Sequence, residues 1–354
     1  MIDPTALKHQ TIATPDRLRF DEGALGRYMA EHVDGCEGPL TVRKFAGGES
    51  NPTYLLETPT RAYVLRRKPP GKLLPSAHAV DREYRVMTAL AGTAVPVPRT
   101  YALCEDEGVI GTAFFVMEHA EGRVVWDKSF AEVPRESRRA MFYEAARVLA
   151  RLHAVDPGEV GLGDYGKTEG YFARQVSRWT KQYDAAETET IDAMERLKDW
   201  LPTAIPASDE VGVVHGDYKV DNLVLSEDCR QVRAVLDWEL STLGNPLADL
   251  SYFLMIWGLP KASGFGIADI DFAGMGIPTM EEVQEAYGEA SGRAGLPDLE
   301  FCMAYNMFRM AGIVQGVYRR ALDGNASSEQ AKGYGVMVPV LAQAGWDWAK
   351  RAGD

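Results

Sequence analysis

Apolar residues recur along this chain with two different periods, and the change from one to the other comes near residue 120. Residues 1–20 are polar and proline-containing and read as an arm. Residues 21–33 then predict a helix that turns Leu25, Tyr28 and Met29 inward. From Leu40 the period shortens to two. The runs 41–45, 53–57 and 63–67 predict strands, the last two joined by the turn-forming Thr58-Pro59-Thr60-Arg61. Residues 78–90 return to the helical period with Val80, Tyr84 and Met87 on one stripe, and Pro96 and Pro98 then break the chain. Two further strands, 100–104 and 113–118, flank the acidic, glycine-containing Glu105-Asp106-Glu107-Gly108.

Beyond residue 118 the helical period dominates. Residues 135–153 carry Met141, Ala145, Val148, Leu149 and Leu152 on one face, with Pro134 before and Pro157-Gly158 after. Helices are also expected at 171–184, 188–200, 280–291, 298–322 and 327–351, with a glycine-rich loop at 258–276. One break in this pattern matters: an apolar strand at 211–214 leads to a small hairpin, 222–225 and 232–236, around Ser226-Glu227-Asp228. The expected organisation is an arm and helix at 1–37, a small sheet-bearing lobe at 38–120 and a larger, mainly helical lobe at 121–354. The fold class is therefore α+β.

Composition narrows the partners. With 354 residues, 46% hydrophobic and 25% charged, the chain is globular in character and large enough for two lobes. Fifty-one acidic against 38 basic residues give a formal charge of −13. Nucleic acid and anionic membranes both demand a basic face, so neither is expected as the main partner. Four dispersed cysteines form no C-x-x-C pair, which argues against structural zinc and suits a reducing cytoplasm. No secretory signal and no membrane-spanning run is evident.

The chemistry concentrates in His215-Gly216-Asp217-Tyr218-Lys219-Val220-Asp221-Asn222 and, after the hairpin, Leu236-Asp237-Trp238-Glu239. The first run reads H-x-D-x-K-x-x-N. Phosphoryl transfer from a nucleotide needs a carboxylate to orient the attacking hydroxyl, and an amide and a second carboxylate for Mg²⁺. It also needs a cation for the transferring phosphoryl group. Asp217, Asn222, Asp237 and Lys219 supply those parts in that order. Magnesium prefers hard oxygen ligands and keeps several waters, so Asn222 and Asp237 suffice. His215 reads as a buried donor that fixes the loop, Asp221 as a solvent-facing or turn-capping residue, and Asp249 as either a helix cap or a support for the loop.

In the sheet-bearing lobe, Gly47, Gly48, Ser50 and Asn51 form a turn whose backbone N–H groups can approach phosphate oxygens. Arg66 and Val64 share a strand face, placing a cation over the phosphates and an aliphatic side chain against adenine. Glu83 on the following helix is expected to pair with Arg66. Residues 115–120, with Met117, Glu118 and Ala120, form the connector that offers backbone groups to the adenine edge.

These motifs resemble the aminoglycoside phosphotransferase and choline kinase-like family, over about residues 38–255. The resemblance implies a protein-kinase-like two-lobed fold, with a small antiparallel-sheet N-lobe carrying one helix and a larger helical C-lobe. It implies ATP and Mg²⁺ as cofactors, with GTP as a possible substitute. It casts Asp217 as catalytic base, Asn222 and Asp237 as metal ligands, and the Glu118 carbonyl and Ala120 amide as adenine contacts. Gly47-Gly48-Glu49-Ser50-Asn51-Pro52, Tyr63-Val64-Leu65-Arg66-Arg67-Lys68 and Ser76-Ala77-His78 further resemble the kinase domains associated with acyl-CoA dehydrogenase family members ten and eleven. That subgroup implies a hydroxyacyl-CoA or hydroxy-acid acceptor. Two departures stand out: Arg66 occupies the position where the family carries Lys, and the phosphate loop lacks a three-glycine pattern.

Three functions follow. The first is a kinase for a hydroxyl on a hydroxy acid or hydroxyacyl-CoA. The second is the same chemistry on an amino-alcohol such as an aminoglycoside or choline. The third is a non-catalytic nucleotide-binding scaffold. Trp257, Phe265, Tyr305, Phe308 and Arg309, with Arg319 and Arg320, are the candidates for an acceptor pocket. The sequence fixes neither the acceptor nor the oligomeric state.

Overall fold

Alternating strands with one amphipathic helix between them build the first part of the chain. A computed structural model describes residues 11–46, 51–71, 78–208, 210–264, 266–324 and 329–353. In chain order the strands are β1 (Thr11–Ile12), β2 (Thr41–Phe45), β3 (Thr53–Glu57), β4 (Ala62–Arg67), β5 (Thr100–Cys104), β6 (Phe114–Glu118), β7 (Gly212–Val214), β8 (Leu223–Leu225), β9 (Val232–Val235) and β10 (Thr242–Gly244). The helices are α1 (Glu22–His32), α2 (Val80–Leu90), α3 (Glu107–Ile110), α4 (Arg135–His153), α5 (Tyr171–Ala186), α6 (Asp192–Trp200), α7 (Pro246–Leu254), α8 (Phe272–Met275), α9 (Met280–Ser291), α10 (Leu299–Leu322) and α11 (Met337–Arg351). Among the described residues no helix is long and apolar enough to cross a membrane.

The described chain divides into two compact units: one runs to Glu144 and adds Val160–Leu162 and Val220–Ser241, and the other takes the remaining residues. The first unit holds an antiparallel sheet in the order β1-β2-β3-β4-β6-β5. Period-two alternation sorts its side chains. Tyr54, Leu56, Tyr63, Leu65, Phe114 and Val116 pack with Leu25 and Met29 of α1 into one buried core. The opposite face carries Thr53, Val64, Arg66, Phe115 and Met117, with Val64 paired to Met117 and Arg66 to Phe115 across β4 and β6. The β8–β9 hairpin belongs to this unit and meets the chain after β6 through reciprocal bonds between Arg123 and Leu225, at 2.8 and 2.7 Å. Gly122 makes the approach possible, since a Cβ there would overlap the Leu225 carbonyl oxygen.

The second unit is helical around the β7–β10 pair. The pattern missed β10, which has only three residues and pairs with β7 far back in the chain. α7 follows at once, capped by the Asn245 side chain accepting from Leu247 N at 2.9 Å and opened by Pro246 in the first turn. α10 is buried along most of its length. The helix expected at 327–351 starts only at Met337; a 3₁₀ stretch containing Gly333 and Gly335 precedes it.

Candidate active site

In the first unit, the sheet face turned away from α1 lines a cavity of about 360 Å³. Val64, Met87, Phe115, Met117 and Leu236 give it apolar walls, while Arg66, Glu83, Asp221, Asn222 and Asp237 give it charge and polarity. That size and mixture suit a small-molecule site. Met117, Glu118, His119 and Ala120 of the expected connector line it. Asp221, half-buried in the short 3₁₀ turn Val220–Asn222, also lines it.

The hairpin brings Asn222 and Asp237 to the cavity. β8 and β9 pair Leu223 with Val235, and Leu236 N donates to the Asn222 carbonyl at 2.8 Å. Asp237 itself is left-handed, at φ 66°, an uncommon conformation for a residue with a Cβ. Its carboxylate leaves the strand direction and meets Arg66, whose Nη2 stands 2.5 Å from Asp237 Oδ1.

Arg66 is the centre of a buried ionic cluster. Its Nε lies 3.0 Å from Glu83 Oε2, and its Nη2 lies 3.5 Å from Glu239 Oε2. The Glu83 side chain is 2% exposed and that of Arg66 11%, so this is no surface pair. Burial opposes the Arg66 charge, but Glu83, Asp237 and Glu239 outweigh it and hold the guanidinium protonated. Glu83 is pushed up to about 7 by burial, with Arg66 opposing and the two other carboxylates adding to the rise. Asn51 Nδ2 donates to Glu83 Oε1 at 2.9 Å and to Glu239 Oε2 at 3.3 Å, and Asn51 Oδ1 stands 3.0 Å from His78 Nδ1. The Asn51 side chain therefore serves the cluster and is absent from the cavity lining. Glu239 joins from 173 residues away in the chain, a contact that local pattern does not announce.

Asn222 and Asp237 fit a magnesium ion by donor chemistry, one amide oxygen and one carboxylate on a single cavity. Among the described residues no group of three or more His, Cys, Asp or Glu is arranged to hold a metal.

In the second unit, the loop after β7 is fixed from several sides. The Asp249 carboxylate accepts from His215 N, and from Gly216 N at 2.7 Å. Gly216 turns at φ 82°, which suits glycine. Burial raises the Asp249 carboxyl, but His153, His215 and the Gly216 N–H outweigh it and hold it below the usual range. His215 is buried, and its Nδ1 accepts from Asp217 N at 3.2 Å, which ties the ring to the loop backbone. The Asp217 carboxylate meets Tyr252, whose hydroxyl donates to Oδ1 at 2.6 Å, and Lys219, whose Nζ is 3.0 Å from Oδ2. Arg309 Nη2 donates to the Gly216 carbonyl at 2.7 Å.

Several acceptor-pocket candidates are core. Tyr305 and Phe308 are buried, and Trp257 is buried with its indole N–H on the Pro278 carbonyl at 2.8 Å. Arg319 pairs with Asp323 at the surface. Gly47, Gly48, Ser50 and Phe265 lie outside the described residues. Tyr252 is the neighbour of Asp217 that sequence reasoning missed; only its spacing of three from Asp249 on α7 hints at it.

A family model described as the phosphotransferase enzyme family matches residues 41–302. The chain is 43% identical over 348 residues to the mouse acyl-CoA dehydrogenase family member 10, covering 97% of this chain and 32% of that protein. It is 41% identical over 340 residues to the human acyl-CoA dehydrogenase family member 11, covering 94% and 44%. The chain thus spans less than half of these relatives. A crystal structure from Ralstonia eutropha JMP134, provisionally titled an aminoglycoside phosphotransferase, is 49% identical with a TM-score of 0.86, covering 94% of this chain and 99% of that one. A ternary complex of aminoglycoside phosphotransferase APH(4)-Ia with AMP-PNP and hygromycin B shares the fold at 16% identity and TM-score 0.59, covering 91% and 99%.

Proposed function

The chain belongs to the phosphotransferase enzyme family, and on that premise we propose that it phosphorylates a hydroxyl of a hydroxy acid or hydroxyacyl-CoA. Its fold is the α+β, protein-kinase-like one, and its chemistry is ATP-dependent phosphoryl transfer to an alcohol. The acceptor class and the residue roles below are our reading.

ATP occupies the first unit's cavity, its base against Val64 and Met117 and its edge toward Glu118 and Ala120. Asn222 and Asp237 would hold Mg²⁺, which would supply positive charge to the nucleotide's phosphates. Asp217 orients the acceptor hydroxyl and takes its proton. The acceptor oxygen bonds to the γ-phosphorus, the bond to the β–γ bridging oxygen breaks, and ADP leaves. Lys219 supplies positive charge to the transferring group, and Arg66 braces Asp237 against α2. One observation carries the reading: Asn222 and Asp237 line one cavity with Arg66, and Asp217 precedes Asn222 by only five residues.

Two facts support an anionic acceptor over an amino-alcohol. Lys219 and Arg309 bring positive charge to the Asp217 loop within the second unit, while Asp249 is spent on backbone N–H groups. The relatives quoted also carry acyl-CoA dehydrogenase in their names. The test is ATP consumption with 4-hydroxybutyryl-CoA, 4-hydroxybutyrate, choline and kanamycin. Fastest turnover with one of the first two is expected. Fastest turnover with choline or kanamycin overturns the acceptor class, and turnover with none of the four favours the scaffold.

A further inference from the structure

Asp249 and Tyr252 stand three residues apart on α7 and therefore share one face of that helix. That face grips the Asp217 loop twice. Asp249 takes the backbone N–H groups of His215 and Gly216, and Tyr252 takes the Asp217 side chain through a 2.6 Å hydrogen bond to Oδ1. The other carboxylate oxygen faces Lys219 Nζ at 3.0 Å. Arg309, from α10, closes the arrangement: its guanidinium lies 5.1 Å from the Tyr252 ring centroid and donates to the Gly216 carbonyl at 2.7 Å.

We propose, resting on the functional reading above, that Tyr252 is a positioning residue that sets the rotation of the Asp217 carboxylate. A carboxylate offers about four lone-pair sites. With one oxygen held by a hydroxyl and the other by an ammonium, the plane of the group is fixed and its remaining lone pairs take a defined direction toward the acceptor hydroxyl. Without the tyrosine hydroxyl, Oδ1 would lose that donor while Lys219 stays on Oδ2, and a flexible four-carbon stem restrains rotation poorly. The ring of Tyr252 is itself pinned by Arg309 and 8% exposed, so its hydroxyl has little freedom to point elsewhere. Positioning of this kind acts on turnover more than on nucleotide affinity.

The experiment compares the wild type, Tyr252→Phe, Asp217→Asn and the double variant, with ATP and the most active of the four acceptors above, alongside melting temperatures. Tyr252→Phe is expected to lower kcat by roughly ten- to a hundredfold with the KM for ATP unchanged. The same substitution is expected to change nothing in the Asp217→Asn background. Tyr252→His, which keeps a donor, is expected to recover part of the turnover. Turnover of Tyr252→Phe within twofold of wild type overturns this inference alone, as does an equal loss in the Asp217→Asn background. Equal rates in wild type and Asp217→Asn overturn the functional reading, and this inference with it.

Discussion

Arg66 Nη2 and Asp237 Oδ1 lie 2.5 Å apart although 171 residues separate them in the chain. The strand cation and the carboxylate assigned to the metal are thus one ionic unit, with Glu83 and Glu239 completing it. Three carboxylates to one buried guanidinium make Arg66 the charge the cluster depends on.

Arg66→Ala leaves those carboxylates without compensation. Removing one partner of a buried ion pair costs about 3–5 kcal/mol, and that loss is expected in urea unfolding. Arg66→Lys keeps the charge but loses the fork that reaches Glu83 and Asp237 together, so a smaller loss is expected.

The same cluster sets a pH dependence. Glu83 is pushed up to about 7 from an ordinary 4.5, chiefly by burial. Between those values the folded chain binds more protons than the unfolded one, so stability falls as pH rises. The Glu83 contribution is complete below about 4.5 and is lost as the pH climbs through 7. Glu83→Gln should flatten this slope in melting temperatures taken from pH 5 to 8; an unchanged slope assigns it to other groups.

Asp249→Ala removes the acceptor of a buried backbone N–H, that of His215, at roughly 1–3 kcal/mol, and that of the half-buried Gly216 N–H at less. Urea midpoint and transfer rate should fall together, unlike the rate-selective loss expected for Tyr252→Phe. Asp249→Asn, which keeps one acceptor oxygen, should fall between wild type and Asp249→Ala in both.

Periodic elements were legible in the sequence because their signal is local. α4 runs over the expected 135–153, and β2 to β6 begin and end within a residue of their apolar runs. Asn222 and Asp237 stand out by motif, and the Arg66–Glu83 pair by strand and helix geometry. The rest depends on long-range pairing or on short elements. β1 has two residues and leans on β2, and β10 has three and leans on β7. α3 forms in a stretch read as a separator, because Asp106 caps it through Gly108 N at 2.8 Å. Glu239 and Tyr252 reach their partners only after the chain has folded, so no spacing could name their roles.

In the proposed reaction Asp217 acts on the acceptor hydroxyl while Asn222 and Asp237 serve the nucleotide. The most direct measurement pairs ATP·Mg²⁺ binding by calorimetry with the rate of acceptor phosphorylation, in wild type and Asp217→Asn. Binding within about twofold of wild type and a rate lowered by about 10²–10⁴ is the predicted result. A variant that phosphorylates the acceptor as fast as wild type would contradict the account.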